Sequence, residues 1–385
     1  MRGTSAAAAV EEAKAGATGP LRLGVIGLGA VAQAVHLPLL LKHPDLFAPT
    51  ALCDLSSSTC ARIADRLGID RTQRFDSATK LLESDRLDAV AIFSSGSHGE
   101  LAAAAARAGL AVFCEKPLAY TVAEIDALAD LEPRLLLGYM KLYDPAVERA
   151  RELLADRPSP RSIEVTVLHP PDAPQLAHAA LPPRATDVDA AMLEQLTSAD
   201  AAILRRALGD VPDELARLYG DVVLGSIVHD LAVIRHLAGG PLAFEWADAW
   251  ETSVALNGRL PDGARVAIRW HYLDGYPAYR EEVRVHDADG TVALTFPAPY
   301  LLHAPTVLTV VDRDGNGERI SETRSTAEAF ERQWLAFASY LNGGAPPRAS
   351  LAEGRADVVA CQGAAALLAA REGIIVGGEA AGGGT

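Results

Sequence analysis

Residues 23–32 read LGVIGLGAVA, and this stretch decides the fold of the first part of the chain. An apolar strand leads directly into the pattern G-x-G-x-x-A, and a helical stretch over 30–42 follows. Gly27 permits the tight turn, Gly29 lets a ligand approach the backbone, and the small Ala32 lets helix and strand pack closely. The free N–H groups of the helix N-terminus favour a pyrophosphate there. Five residues of the turn are predicted to bind a dinucleotide: Gly27, Leu28, Gly29, Ala30 and Val31.

An acidic residue at the end of the next predicted strand supports the same interpretation. Asp54 follows the strand 50–53, close to the spacing at which a carboxylate accepts hydrogen bonds from an adenosine ribose. A carboxylate there would repel a 2′-phosphate, so the sequence favours NAD as the cofactor. The serines at 56–58 leave NADP possible.

The sequence pattern of the chain changes near residue 138. Before it, short apolar runs alternate with helical stretches, which is typical of βαβ units and a parallel sheet. After it, strands follow one another across short turns, with one long strand predicted over 243–256. The predicted fold is an α/β Rossmann N-terminal domain plus an α+β C-terminal domain with an open, mainly antiparallel sheet.

The predicted boundaries are a disordered tail over 1–19, a dinucleotide-binding domain over 20–137, an α+β substrate and oligomerisation domain over 138–376, and a flexible tail over 377–385. An insertion at about 169–224 interrupts the second domain. It is equally well interpreted as a lid over the site or as helices that only thicken the domain edge or build a subunit contact.

Composition and charge limit the partners. The chain has 385 residues, a net charge of −15 and four cysteines without a CxxC pair. This charge repels nucleic-acid backbones and anionic membranes, so we expect a small-molecule partner, with no nucleic acid and no membrane. The cysteine pattern favours a reducing, cytoplasmic setting, and no motif suggests a metal.

Polar residues follow another strand of the predicted parallel sheet. Ser94, Ser95 and His98 come at its carboxyl end, where doubly wound folds bind their ligands. They are predicted to contact the cofactor on the nicotinamide side. The alternative is that they only cap the following helix, 99–108.

A later motif carries a family resemblance. Residues 114–118 read CEKPL at the end of a strand, 36–38 read HLP in the first helix, and 226–230 read SIVHD before Arg235 and Gly239. Over about residues 20–375, the chain resembles the Gfo/Idh/MocA family of oxidoreductases. The resemblance implies an NAD(P)-dependent dehydrogenase or reductase that moves a hydride between a nicotinamide and a CH–OH group of a sugar, inositol or related polyol.

Two residues are the catalytic candidates. The resemblance places Lys116 beside the nicotinamide ribose and the reacting hydroxyl, with Glu115 also at the cofactor and a cis bond between Lys116 and Pro117. A lysine whose pKa is lowered by burial can accept the hydroxyl proton near neutral pH. His229 is the second candidate, on a core-packed helix. The structural alternatives are a surface Glu–Lys pair and a hydrogen-bonded core histidine.

The chain also departs from the family pattern. Many family enzymes place an Asp four residues before the histidine, and here that residue is Gly225. By α-helical geometry, neither Asp221 nor Asp230 is an obvious replacement. The missing carboxylate motivates an alternative function, a catalytically weak NAD(H)-binding sensor or partner subunit. The candidate substrate contacts are Lys141, Tyr143 and Asp230, although 139–143 is equally consistent with packing at the domain junction.

The aromatic residues at 270–272 and 276–279 allow two interpretations. They could stack on a sugar, but the preferred interpretation is a face of the sheet core or an oligomer interface. Because open antiparallel sheets commonly pair, we expect a homodimer or homotetramer.

Overall fold

The structure, a computed structural model, describes residues 6–16, 19–84 and 86–382. Within these residues the first sheet has six parallel strands in the order β3-β2-β1-β4-β5-β6. The strand order reverses between β1 and β4, and ligands of such sheets bind at the carboxyl ends next to this reversal. The strands are β1 (Leu21–Ile26), β2 (Phe47–Cys53), β3 (Arg74–Phe75), β4 (Ala89–Ile92), β5 (Ala111–Cys114) and β6 (Leu135–Leu137).

The second sheet has eight strands in the described residues, in the order β14-β13-β12-β11-β7-β10-β9-β8. Its pairs are antiparallel except β7 with β10, which are parallel. The predicted fold class is therefore confirmed. The strands are β7 (Ser162–His169), β8 (Ala243–Trp250), β9 (Ser253–Arg259), β10 (Arg265–Tyr272), β11 (Arg280–His286), β12 (Gly290–Phe296), β13 (Val307–Asp314) and β14 (Gly317–Arg324).

Helices cover the first sheet and one face of the second. Two segments are π-helical, Ala32–His36 and Leu218–Ile227, and each continues into an α-helix. The α-helices are α1 (Ala6–Lys14), α2 (Leu37–Lys42), α3 (Ser57–Leu67), α4 (Ala78–Leu82), α5 (Gly99–Arg107), α6 (Val122–Ala129), α7 (Pro145–Ala155), α8 (Asp172–Leu176), α9 (Ala190–Leu208), α10 (Asp213–Arg217), α11 (Val228–Ala238), α12 (Ala329–Leu341) and α13 (Leu351–Arg371).

Burial explains why the two sheets have different sequence patterns. Strands β4 and β5 are buried along their whole length, so they read as continuous apolar runs. Strand β7 alternates, with Ile163, Val165 and Val167 buried and Glu164 exposed between them. One face of the second sheet therefore packs on the core while the other stays accessible.

The strand predicted over 243–256 is wrong. The chain reverses at residues 251–252 and forms the antiparallel hairpin of β8 and β9. At this reversal the backbone of Glu251 is left-handed, with a φ of +49°. Glycine or asparagine usually marks such a position, and neither is present here to signal the turn.

Both predicted tails contain ordered structure. Helix α1 lies within the predicted tail 1–19, and its fully buried Ala13 accepts a hydrogen bond from Asn342 Nδ2 at 3.0 Å. At the other end, the Glu379 carboxylate accepts hydrogen bonds from the first N–H groups of α6, at 2.6 and 2.9 Å. Residues 1–5, 17–18 and 383–385 lie outside the described residues. Contacts remote in sequence order both segments, and composition does not register such contacts.

The insertion contacts both the cavity and the first domain. Asp172, at the start of α8, lies on the wall of the large cavity described below. Further along, α9 packs beside the first sheet, where Asp200 accepts a hydrogen bond from Ser97 N–H at 3.5 Å and Arg206 pairs with Glu100 at 3.6 Å. Different parts of the insertion thus contact the cavity and the first domain, and its role stays a prediction.

Candidate active site

A cavity of about 690 Å³ lies where the two sheets meet. The carboxyl ends of β4 and β5 form one wall, and the second sheet with the helix that contains His229 forms the other. The predicted residues on its wall are Val31, Ser94, Ser95, Glu115, Lys116, Lys141 and His229. The structure thus brings predicted site residues that are far apart in the sequence, from Val31 to His229, to one cavity.

The glycine turn has the shape that a dinucleotide needs. Gly27 has a φ of +88°, and a Cβ added there would lie 2.5 Å from the backbone nitrogen of Ser94. In the described residues, a Cβ added at Gly29 meets no neighbouring atom within 4 Å. Gly27 is therefore required by the protein's own packing, whereas the space at Gly29 remains open for a ligand. These residues fit the pyrophosphate of a nicotinamide dinucleotide.

Asp54 lies directly beside this turn. One carboxylate oxygen accepts a hydrogen bond from Leu28 N–H at 2.7 Å, and the other accepts one from Ser56 N–H at 2.8 Å. Helix α3 begins three residues after Asp54. The carboxylate is thus fixed at the end of β2, next to the phosphate turn, where an adenosine ribose would lie.

The two serines and the histidine after β4 have different places. Ser94 and Ser95 lie on the cavity wall, whereas His98 is 1% exposed and lies behind it. One ring nitrogen of His98 is 2.8 Å from the Pro117 carbonyl oxygen, and the other is 2.7 Å from that of Ser94. His98 therefore joins the two strand ends rather than contacting the cavity.

Glu115 is held by a buried chain of side chains. Trp334 Nε1–H donates to His36 Nδ1 at 3.1 Å, and His36 Nε2 lies 3.1 Å from the Glu115 carboxylate. An indole N–H can only donate, so His36 is the neutral tautomer whose Nε2–H donates to Glu115. Burial alone would raise the pKa of Glu115, but this hydrogen bond and the Lys116 charge outweigh it and lower the pKa. Glu115 is thus a buried carboxylate beside Lys116.

Lys116 extends from the end of β5 into the cavity. Its Nζ donates to the Gly225 carbonyl at 2.5 Å, and its peptide bond to Pro117 is cis, as the resemblance implies. Burial lowers the pKa of Lys116 and the Lys141 charge adds to this effect, although Glu115 opposes it. A lysine in this setting can exchange a proton nearer to neutral pH than an exposed one.

His229 faces the same cavity from α11. Burial lowers the pKa of its imidazole well below the ordinary value, and the charges of Lys116 and Lys141 lower it further. The ring is therefore neutral. Among the described residues, no hydrogen-bond partner lies at its buried Nδ1, and the Tyr139 ring meets it edge-on with centroids 6.1 Å apart.

Gly225, the departure from the family pattern, lies in the π-helix before α11. A Cβ at this position would lie 3.2 Å from the Gly220 carbonyl oxygen, so a side chain would be crowded. The backbone carbonyl of Gly225 instead contacts Lys116. A π-helix has more residues per turn than an α-helix, so the α-helical geometry used for the prediction misplaced Asp221, which lies on the cavity wall.

The three residues predicted to contact the substrate lie in three different places. Lys141 lies on the cavity wall and forms a buried ion pair with Glu281, whose other oxygen accepts from Tyr279 OH at 2.6 Å. Asp230 lies behind this pair, where burial and the Glu281 charge raise its pKa well above the ordinary value. The buried carboxyl groups of Asp230 and Glu281 thus interact, and the Glu281 charge adds to burial in raising the pKa of Asp230.

Tyr143 lies away from the cavity. Its hydroxyl accepts a hydrogen bond from Arg348 N–H at 3.2 Å, and the Arg348 guanidinium stacks on its ring. The short 3₁₀-helix Met140–Tyr143 directs Lys141 and Tyr143 to different sides. The position of Tyr143 is thus explained by its packing against Arg348 and not by contact with a substrate.

Aromatic side chains form the opposite wall of the cavity, and they also pack in or against the buried core, as the preferred interpretation predicts. Trp270, Tyr272, Tyr279 and Tyr300 all face the cavity, and Trp270 Nε1–H donates to Ser226 Oγ at 2.9 Å. The alternation along β10, which puts residues 270 and 272 on one face, was the signal that could have located them. Sequence alone did not show that this face meets the first domain.

The described residues also bear on metal binding, thiol chemistry and membrane insertion. No group of three or more His, Cys, Asp or Glu side chains there is arranged to hold a metal ion. The four cysteines are buried free thiols. None of the helices in the described ranges has the length and apolar character to cross a membrane.

Comparison with known proteins agrees with this geometry. The Gfo/Idh/MocA family model, described as an oxidoreductase family with an NAD-binding Rossmann fold, matches residues 21–137. The chain is 29% identical over 137 residues to a myo-inositol 2-dehydrogenase of Thermotoga maritima, covering 34% of this chain and 40% of that protein. It is 33% identical over 140 residues to inositol 2-dehydrogenase 3 of Saccharopolyspora erythraea, covering 35% and 40%. The match thus spans about two fifths of these relatives.

Solved structures extend the likeness of fold to most of the chain. Myo-inositol 2-dehydrogenase from Lactobacillus plantarum has a TM-score of 0.67 at 18% identity, covering 92% of this chain and 98% of that one. Scyllo-inositol dehydrogenase from Lactobacillus casei, solved with NAD(H) and scyllo-inositol, has a TM-score of 0.65 at 18% identity, covering 91% and 98%. A 3-ketoreductase from Actinomadura kijaniata, solved with NADP and TDP-benzene, has a TM-score of 0.66 at 20% identity, covering 88% and 95%. Residues 21–137 therefore match the Gfo/Idh/MocA oxidoreductase family, and the chain has the fold of these solved dehydrogenases.

Proposed function

We propose that the chain is an NAD(P)-dependent oxidoreductase that moves a hydride between a nicotinamide and a carbon bearing a hydroxyl or ketone group in a sugar, cyclitol or related polyol. The observation that carries the proposal is that Lys116 and His229 face one cavity, whose wall also includes Val31 of the glycine turn and the serines that follow β4. A proton acceptor thus lies beside the place that a nicotinamide would occupy.

Oxidation of a secondary alcohol removes a hydride from carbon and a proton from oxygen. When bound, the nicotinamide supplies the hydride acceptor. Lys116 takes the hydroxyl proton, because burial and Lys141 make its neutral amine accessible. The Gly225 carbonyl holds the Lys116 Nζ in place. The neutral His229 donates its ring N–H to the oxygen of the same hydroxyl and orients it.

The cavity walls favour an uncharged polyol. Both cations and carboxylates face the space, Lys116 and Lys141 with Asp172 and Asp221, so ring hydroxyls find donors and acceptors. Trp270 and the tyrosines offer flat apolar surfaces to the C–H face of a ring. The inositol dehydrogenases named among the relatives are consistent with such a substrate.

The remaining assignments are part of the same proposal. Asp54 favours NAD over NADP, although the similar structures include complexes of both. The substrate domain starts at residue 138, the protein acts in the cytoplasm, and it assembles as a homodimer or homotetramer. The similar proteins are named as dehydrogenases and a reductase, so the sensor alternative gains no support from them.

The test is turnover with NAD or NADP and a panel of inositols, aldoses, sugar acids and nucleotide sugars, followed by the absorbance of the reduced nicotinamide. Lys116→Ala is expected to lower kcat/KM by about 10²- to 10⁴-fold, the usual contribution of a proton acceptor. Lys80→Ala, which removes an exposed lysine paired with Asp76, is the matched control and retains activity. Equal rates for wild type and Lys116→Ala would refute the assignment of the proton acceptor.

A further inference from the structure

A carboxylate of the insertion lies against the serines that follow Asp54. Asp187, in the loop before α9, accepts three hydrogen bonds there. The donors are Ser56 Oγ at 2.7 Å, Ser57 Oγ at 3.1 Å and Ser58 N–H at 2.8 Å. These bonds, the one from Ser56 above all, hold the pKa of the Asp187 carboxyl below its ordinary value. Asp187 is therefore a full negative charge at neutral pH.

The same donors are the ones that a 2′-phosphate would use. A carboxylate placed as Asp54 is binds the hydroxyls of the adenosine ribose. The serines begin α3 two to four residues later, so a phosphate on the 2′ oxygen would reach their hydroxyl and N–H groups at the helix N-terminus. Asp187 already satisfies these groups, and it brings a charge of the same sign as the phosphate.

The nearby cations do not neutralise this charge. Arg62, one turn into α3, donates to Gln33 Oε1 at 3.0 Å. Arg74 pairs with Asp65 at 2.7 Å. No ion pair forms at Asp187 within the described residues. A 2′-phosphate would therefore have to displace the Asp187 carboxylate or be repelled by it.

We propose that Asp187 is a specificity-determining residue, which excludes NADP by occupying the position of its 2′-phosphate and leaves NAD to bind. The inference rests on the proposed nicotinamide site and names what sets its preference. It also gives the insertion a role at the adenosine end of the site, 130 residues along the chain from the serine whose hydroxyl it binds. The ribose contact itself stays with Asp54.

The experiment compares the Kd of NADH and NADPH, measured by fluorescence titration at one ionic strength, for wild type, Asp187→Asn and Asp189→Asn. Asp189 is the matched control. It lies two residues away in the same loop and carries the same charge, but its carboxylate caps α9 through Ala191 N–H at 2.7 Å. Asparagine caps a helix about as well as aspartate, so this variant changes the charge and leaves the fold intact.

Wild type is expected to bind NADH more tightly than NADPH. Asp187→Asn should improve the Kd of NADPH about tenfold or more and change that of NADH less than about threefold, since it removes a charge in hydrogen-bond range of the phosphate. Asp187→Ala should act in the same direction, and Asp189→Asn should leave the ratio unchanged.

Three results would overturn the proposal: a wild type that prefers NADPH, an unchanged ratio in Asp187→Asn, or an equal loss of both affinities, which would make Asp187 only a tether for the insertion. In each of these cases dinucleotide binding persists and the proposed function survives. A wild type that binds neither dinucleotide would overturn both proposals together.

Discussion

A methyl group at Gly29 should separate cofactor binding from folding. Gly29 is exposed, its φ is not positive, and a Cβ there meets no described atom within 4 Å apart from its neighbours. Its carbonyl accepts Gln33 N–H at 3.1 Å, a bond that does not depend on the side chain. Alanine caps a helix less well than glycine, which destabilises the fold, but it also makes the unfolded chain stiffer, which stabilises the fold. Each of these opposite effects is up to about 1 kcal/mol. We therefore expect Gly29→Ala to change the free energy of unfolding by less than about 1 kcal/mol.

Gly27→Ala is the matched comparison, because the same methyl group has no space there. Its Cβ would lie 2.5 Å from the Ser94 nitrogen and 2.7 Å from the Phe93 carbonyl carbon, at a φ of +88°. Backbone strain of about 1–3 kcal/mol adds to a similar cost for overpacking. The expected loss is about 2–6 kcal/mol of unfolding free energy, from the sum of the two.

The effects on the cofactor should follow the opposite order among folded variants. At Gly29 the methyl group fills the space through which a pyrophosphate reaches the backbone N–H groups. Losing one charge-assisted hydrogen bond costs about 1.5–3 kcal/mol, which raises the Kd of NADH about 10- to 150-fold. Thermal melting and a fluorescence titration with NADH measure the two effects. Gly29→Ala that binds NADH like wild type, or that melts like Gly27→Ala, would refute the reasoning.

Four other predictions concern stability and assembly. Burial disfavours the Lys116 ammonium, so Lys116→Met should keep or raise the Tm while turnover is lost. A large fall in Tm would contradict this. Lys141→Met leaves Glu281 buried without its cation and should cost about 3–5 kcal/mol in urea unfolding, whereas adding Glu281→Gln should recover most of it. Burial lowers the pKa of His236 from 6.5 to about 4, so the folded state resists its protonation. Stability is then complete above pH 6.5 and declines as the pH falls toward 4, and His236→Gln should flatten this slope in Tm. Light scattering at micromolar concentration should give more than one chain's mass, and a single-chain mass would reject the homo-oligomer.

The elements that sequence predicts well are those with a local cause. The glycine pattern at 27–32 fixes a turn between adjacent elements, and the first sheet's apolar runs follow from burial on both faces. Helices α12 and α13 show the 3.6-residue period and lie within or at their predicted bounds. The hairpin at Glu251 and the ordered α1 were missed, because an unmarked turn and a docking contact leave no local signal.

The sequence by itself determined the phosphate turn, the place of Asp54 after the next strand, and the position of Lys116 at the end of a third strand. Each of these depends on neighbours within one βαβ unit, where backbone preference and burial decide the conformation. Only the tertiary structure decided which side chains share the cavity. It joined His36 to Trp334 across 298 residues, and it turned Tyr143 away from the site. Such pairs depend on how the packed layers meet, and packing is set by the whole chain, so no local pattern encodes it.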